Sequence, residues 1–560
     1  MVRSLRVFAP AVLLAATLAA LMLGLAIGGA ADERTLLDPG AVVRYGSPIA
    51  RTLVNVSMAG LIGSVVMAVW ALANVNPTVG QHTRRPAAGA EPAAETRVAM
   101  DVAAASAAVL TVASAATLLL SYVDVSGMPF STDPSFGAGL AQYVTEIELG
   151  QLWLFELLLA AITTVLAFAI RGRRLTLLVL LAAMTTALPL AQQGHAAGAS
   201  GHAQAVNSLL VHLIGASVWL GGLLTLVFIA QVVDRRRLAV LTSRYSTLAL
   251  FAFIGVAASG VVSAWLRVGS LAQLFETGYG QLVLIKTAAL VVLGVFGAVQ
   301  RTRLIPRIAA ARERAFLWFV LAELAVMGVA SGIAGALGRT ATPVALEPLR
   351  DQGGNISPAE WLTGDPLPPE LTVERYFTEW RFDLAWVLVC AFGAVLYLGG
   401  VIRLARRGDR WPIGRTIAWL VGLALLFYST NGALNAYEQY LFSMHMLAHM
   451  MLAMLIPLVL VLGAPVTLAL RATEKRDDGS WGGREWILWA VQTPYSKVIT
   501  HPAVAAVIFV GSLWVFYFTP IARWAASEHL GHQWMIIHFL IGGYLFSLSM
   551  VGIDPVPYRF

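Results

Sequence analysis

Uncharged apolar runs of roughly 20 residues recur from one end of this 560-residue chain to the other, separated by short clusters of charge. At about 1.5 Å of rise per residue, such a run crosses the hydrocarbon core of a bilayer as one α-helix. No stretch remains from which a large soluble core could be built. Charged residues make up 12% of the chain and apolar ones 58%, about half the charge of an ordinary globular domain. The sequence therefore predicts an all-α, polytopic helical membrane protein of about fourteen spans. These centre near residues 19, 63, 109, 160, 183, 218, 256, 291, 326, 392, 421, 454, 511 and 541. The first run, Phe8 to Gly29 behind Arg3 and Arg6, resembles a signal peptide but is long for one, and reads better as a retained helix.

Basic residues orient the spans. If the N-terminus is cytoplasmic, so are the loops after even-numbered spans, which carry Arg84/Arg85/Arg97, Arg171/Arg173/Arg174, and Arg235/Arg236/Arg237/Arg244. Further inner clusters are Arg301/Arg303/Arg307/Arg312/Arg314, Arg403/Arg406/Arg407/Arg410/Arg415 and Arg471/Lys475/Arg476/Arg484/Lys497. With the termini these hold 28 of the 38 Lys and Arg, so the positive-inside pattern puts both termini in the cytoplasm of a multi-pass plasma membrane protein. The net charge of +7 does not mark a nucleic-acid partner, because the charges cap apolar runs and form no basic arm.

The one long outer segment, Gly338 to Arg381, is rich in Pro, Gly and acidic residues and divides a nine-span part, 1–340, from a five-span part, 376–560, with 341–375 as extracytoplasmic linker. The 77–98 loop, with Pro77, Pro86 and Pro92 among alanines, reads as a solvated linker. The single cysteine, Cys390, excludes an intrachain disulfide and any CxxC metal motif. No convincing P-loop, dinucleotide-binding glycine fingerprint, HExxH or GxSxG motif is present, so ATP-driven pumping by this chain is not expected and no catalytic residue is assigned.

Eight of the ten histidines fall at or near the outer surface; His82 and His501 fall on the inner side. The densest group is Met444-His445-Met446-Leu447-Ala448-His449-Met450-Met451. His445 and His449 are i,i+4 and share one helical face, where two imidazoles can hold one ion. Thioethers are soft ligands suited to Cu(I), imidazole accepts either copper state, and the group has no oxygen ligands for hard Ca²⁺ or Mg²⁺. Near the C-terminus His529-x2-His532-x2-Met535-x2-His538 repeats the pattern. The first part offers His195 and His202 in a Gly/Ala loop and His212 ahead of Trp219-Leu220-Gly221-Gly222. Methionines packing a membrane helix, and histidines bonded to neighbouring helices, are the plainer alternative for each group. Two facing imidazoles could also ligate haem, as in a membrane electron-transfer protein. Lys286 and Glu323 sit deep inside spans, where a lone charge costs several kcal/mol, and are expected to pair or to line an ion pathway; Glu156 is a weaker candidate.

The residues His212–Leu223, Tyr279-Gly280-Gln281-Leu282-Val283-Leu284-Ile285-Lys286 and the Glu323 helix resemble the CopD family of copper-resistance and copper-import membrane proteins, mainly over 206–336. From about 376 to 560 the chain resembles the CtaG family of cytochrome c oxidase assembly factors. That likeness rests on Asn431-Gly432, His445-x3-His449, Leu462-Gly463-Ala464-Pro465, His501-Pro502, His529-x2-His532-x5-His538 and Gly552-Ile553-Asp554-Pro555. The order looks like the fused CopD–CtaG proteins of high-GC Gram-positive bacteria. The resemblance implies copper passage or capture in the first part and delivery to a haem-copper oxidase, through its subunits or another copper chaperone, in the second. With no cysteine pair, transfer would run through His and Met. Copper import or tolerance without an assembly role remains open. A topology reporter fused after Phe560 should read cytoplasmic and one inserted near residue 350 extracytoplasmic; the reverse result would invert every assignment of face.

Overall fold

The computed structural model describes residues 5–35, 38–73, 93–193, 201–304, 313–344 and 356–555. Among them the chain is helical and forms no strand, only an isolated bridge between Ala73 and Ser480. Hydrocarbon offers backbone groups no partners, and a helix satisfies them within one segment. Among the described residues twelve helices are long and apolar enough to cross a membrane, or thirteen if one bent pair makes a single span, against about fourteen expected. Two breaks account for the difference. Thr176–Thr185 and Ala187–Gln192 are separate short helices, the second containing Pro189, which cannot donate to the 185 carbonyl. Pro502–Phe518 and Ile521–Ser527 meet at a 73° bend, where Thr519 before Pro520 is forced into an extended conformation.

The chain divides into two compact units, Met1–Ala197 with Ser208–Leu346 and Asp478–Ser480, and Gly198–Asn207 with Glu347–Asp477 and Trp481–Phe560. In the first unit, small residues let helices touch backbone to backbone. A Cβ added at Gly221 on His202–Ile229 would lie 1.7 Å from the Ala59 carbonyl oxygen on Ala41–Trp70. One turn along, this approach brings Ser64 Oγ within 2.7 Å of Thr225 Oγ1. Gly332 on Glu313–Leu337 sits against the Thr17 carbonyl of Leu5–Gly28 in the same way, with an added Cβ only 2.2 Å from the oxygen.

A polar clasp closes one end of this unit. Arg237 donates to Glu95 at 2.5 and 2.9 Å and to Asp478, and Arg244 reaches Asp478 at 2.7 Å and the Ala71 carbonyl at 2.7 Å. Burial alone would raise the Asp478 carboxyl, but the Ser480 hydroxyl and N–H, with Arg237 and Arg244, outweigh it and hold it well below the usual carboxylate range.

In the second unit the span Phe442–Ala472 is built from four pieces. Phe442–Met450 runs into a π-helical turn, Met451–Leu455, ahead of Pro457. Pro457 cannot bond to the Ala453 carbonyl, which instead faces Gly543 of His529–Val551; a Cβ there would lie 2.0 Å from it. Ala464 takes a left-handed conformation at φ 46° to start Pro465–Ala472. That helix has no cap of its own; Asp554 supplies one, accepting from Val466 N at 3.1 Å, Thr467 N at 2.7 Å and the Thr467 hydroxyl at 2.6 Å.

Gly221→Ala should destabilise the first unit by about 1–3 kcal/mol, whereas Gly260→Ala, with open space around it, should not. Equal thermal unfolding of the two variants would count against the close approach. Asp478→Asn should lower stability by an amount between the ~1 kcal/mol of an exposed pair and the ~3–5 kcal/mol of a buried one. Because the folded Asp478 pKa is depressed, its contribution is complete above the unfolded value of about 4 and is lost as pH falls through the folded value. Unfolding curves of wild type and variant should therefore converge in acid.

Candidate metal centre

In the second unit the Met-rich helix and the last helix do meet. His445 and His449 stand one turn apart on Phe442–Met450 with ring centroids separated by 4.2 Å. His449 is fully buried, and its Nε2 lies 2.8 Å from Met535 Sδ of His529–Val551, which is also fully buried. The other nitrogen, Nδ1, is 2.6 Å from the hydroxyl of Tyr517 on Pro502–Phe518, and that hydroxyl lies 3.1 Å from Met446 Sδ, to which its single proton can be given when Nδ1 carries its own. Three helices thus contribute two imidazoles, two thioethers and a phenol to one pocket walled by Phe516 and Phe539. Among the described residues no three His, Cys, Asp or Glu side chains gather for a metal; thioethers rather than a third imidazole complete this group. A nitrogen and sulfur donor set of this kind suits a soft cation such as Cu(I) and offers little to Mg²⁺ or Ca²⁺.

Next to it lies a layer of oxygen groups. His532, one turn before Met535, places Nε2 3.2 Å from the buried Glu438 carboxylate, and His445 also touches the Glu438 backbone. His529, another turn back, is held by Asn207 Oδ1 at 2.8 Å. The Asn207 amide donates to Asp383 Oδ2 at 2.6 Å, and Gln533 donates to the same oxygen at 2.8 Å. Asp383 caps Leu384–Arg406 through Ala385 N, and its own N–H is bound by Asn431 Oδ1 at 2.7 Å. Burial raises the Asp383 carboxyl, opposed by the Gln533 amide and the backbone N–H groups of Ala385 and Trp386.

The remaining candidates are placed as follows. His538 stacks on Trp534 at 4.8 Å, and no hydrogen bond or ring contact joins it to His445, His449 or His532. Met450 follows His449 and its sulfur takes part in no hydrogen bond among the described residues, unlike those of Met446 and Met535. His202 begins the helix His202–Ile229, in the neighbourhood of His529. His195 lies outside the described residues.

In the first unit His212 is engaged on both nitrogens. Lys286 Nζ lies 3.3 Å from Nε2, and Nδ1 is 2.9 Å from Ser259 Oγ. An ammonium can only donate, so Nε2 accepts and Nδ1 carries the proton. Lys286 and Glu323 do not form the pair expected of them. Glu323 takes the Trp219 indole and leaves Oε2 without a partner among the described residues. Depth explains the separation. Lys286 is eight residues from Gly278 and Glu323 fourteen from Leu337, so on antiparallel helices they differ by roughly 9 Å in height. Glu156 is fully buried, with both carboxyl oxygens unpartnered among the described residues.

Sequence reasoning missed Tyr517, Glu438, Asp383, Asn207 and Gln533. Glu438 was open to discovery, as an acidic residue six positions before Met444 at a helix entrance. Nothing in the sequence distinguished Tyr517 from other aromatics in its span.

Comparison with known proteins places these units. Residues 395–560 match the family model of the cytochrome c oxidase caa3 assembly factor, 239–337 that of copper resistance protein D, and 41–205 that of the copper resistance protein D-like N-terminal domain. An uncharacterised protein of Mycobacterium bovis is 46% identical over 200 residues, 35% of this chain and 30% of the relative. The chain thus spans about a third of the length of the mycobacterial relatives it matches. Inner membrane protein YebZ of Escherichia coli is 32% identical over 190 residues, 33% of this chain and 65% of the relative. Copper transport protein CutJ of Bacillus subtilis is 32% identical over 110 residues, 19% of this chain and 20% of the relative. No solved structure matches. Twelve apolar helices, together with these relatives, make the chain a multi-pass plasma membrane protein. One polypeptide here joins regions that match copper resistance protein D models, at 41–205 and 239–337, to a region that matches the model of the caa3 cytochrome c oxidase assembly factor, at 395–560.

Proposed function

We propose that this protein collects copper, as Cu(I), at the extracytoplasmic membrane face and hands it to a haem-copper cytochrome c oxidase during assembly. The observation that carries the reading is the meeting of His449, Met535, Met446 and Tyr517 from three helices in a unit matching an oxidase assembly factor. His445 and His532 flank that core, and His529, with His202 near it, lies one turn further along the helix. Transfer is ligand exchange between weakly held positions, with no covalent step and no catalytic residue. The recipient is an oxidase subunit or a copper chaperone that serves it.

Soft donors favour the reading on chemical grounds. Cu(I) binds two or three imidazole and thioether ligands without the fixed geometry that Cu(II) imposes, so it can leave by stepwise replacement. In the first region His212 is a poorer candidate while Lys286 occupies its Nε2, and ligation there calls for the ammonium to withdraw.

A second reading, copper import or tolerance without an assembly role, draws support from the copper resistance matches and from the likeness to a copper transport protein. Purified protein titrated with Cu(I) against a chromogenic chelator should bind at least one equivalent. Replacing His445, His449, His532 and His538 together by Ala should abolish that site; equal stoichiometry and affinity in both would overturn the proposal. A Soret band in the purified protein would favour haem instead. In cells, the His445→Ala/His449→Ala double variant should deplete oxidase copper without lowering total copper, whereas an importer would lose both.

A further inference from the structure

We infer that Glu438 and the Asp383–Asn207 pair are positioning residues of the copper site, the pair holding Nε2 of His529 so that Nδ1 is the atom offered to the metal, and Glu438 keeping the His532 ring in place by contact at Nε2. This rests on the reading that the histidines of the last helix bind copper, and it adds the residues that set how they do so.

Hydrogen-bond direction fixes the proton positions. The Asp383 carboxylate is buried, 7% exposed, and takes three donors: Ala385 N at 2.9 Å on Oδ1, and Asn207 Nδ2 at 2.6 Å and Gln533 Nε2 at 2.8 Å on Oδ2. The Gln533 amide is oriented from its other end, where Oε1 accepts from the Trp386 indole at 2.9 Å. With its NH₂ committed to the carboxylate, Asn207 can turn only its carbonyl oxygen to His529 Nε2, 2.8 Å away. An amide oxygen accepts and never donates, so His529 carries its proton on Nε2. A neutral imidazole has one N–H, which leaves Nδ1 as a bare lone pair.

His532 is placed by a shorter route. Its Nε2 lies 3.2 Å from Glu438 Oε1, an oxygen that accepts no hydrogen bond among the described residues, with side-chain exposures of 9% and 2%. Among the described residues neither His529 Nδ1 nor His532 Nδ1 takes part in a hydrogen bond. The two histidines are three residues apart, so they follow each other up one side of His529–Val551 at a rise of about 4.5 Å. The Asp383 residue is also anchored away from the rings. Asp383 sits at the N-terminus of Leu384–Arg406, where the helix dipole favours a negative charge, and its N–H is held by Asn431. A carboxylate or amide behind a ligating imidazole fixes its tautomer and increases its basicity, and removing such a partner usually weakens metal binding about 10–100-fold.

The test uses the full chain in detergent or nanodiscs and Cu(I) competition with a chromogenic chelator. Asn207→Leu and Glu438→Leu should each weaken Cu(I) binding by about 10–100-fold. Glu438→Gln keeps an acceptor for His532 without the charge and should fall between Glu438→Leu and wild type. A merely architectural role would lower thermal stability but leave the affinity of the folded fraction at the wild-type value, and that result overturns the inference. Should a variant fail to fold, ¹⁵N spectra of histidine-labelled wild type decide the matter. With signals assigned through His529→Gln, the metal-free protein should show protonated Nε2 and unprotonated Nδ1 at His529; the opposite tautomer overturns the inference. The outcomes separate cleanly. Binding lost on removing the four histidines but kept in the positioning variants sinks this inference alone, whereas binding indifferent to the histidines sinks the copper reading beneath it.

Discussion

A polar side chain at hydrocarbon depth has no water to turn to, so it is satisfied by another side chain, by backbone or not at all. Much of the arrangement described here follows from that constraint. His449 is completed by Tyr517 and Met535, Lys286 by His212, and Asp383 by two amides and a backbone N–H. Each of these contacts pins helices together at a particular rotation about their axes. The polar groups therefore specify the packing of the second unit as much as its apolar core does.

Those same contacts also sort the chemistry. Around His449 the partners are sulfur and phenol; around His529 and His532 they are carboxylate and amide. The last helix carries both kinds of surroundings within two turns, because His529, His532 and Met535 recur every three residues and stay on nearly one face. A soft-donor pocket beside oxygen-backed imidazoles is a graded environment, suited to a cation that has to be accepted and then released.

The class of fold was legible because the length of an uncharged run is a direct measure of bilayer thickness. The count was less so. Hydropathy averages over a window and does not register that Pro189 or Pro520 interrupts the backbone within it, so two segments that read as spans are broken or bent. The candidate site was half legible. Spacing placed His445 beside His449 and His532 beside Met535, since a helix decides which residues share its face. Which face meets which neighbour is decided by tertiary packing, and so Tyr517, Asn207 and Asp383 could not be assigned from spacing. Opposite charge alone suggested joining Lys286 to Glu323, and the difference in their depth along antiparallel helices defeated it. Asp554 is a related case. Its place in a closing Gly-Ile-Asp-Pro motif was visible, but its task of capping Pro465–Ala472 is a long-range one.

The π turn at Met451–Leu455 has a consequence for how this region tolerates change. A π turn accommodates one residue more than regular winding would, immediately after His449. Regular α winding through the same number of residues would turn everything on its far side to a different rotation relative to the near side. With the lower half held by Gly543 against the Ala453 carbonyl, the half that moves is the one bearing both imidazoles. The wide winding of this stretch is what keeps the imidazoles at their rotation about the helix axis.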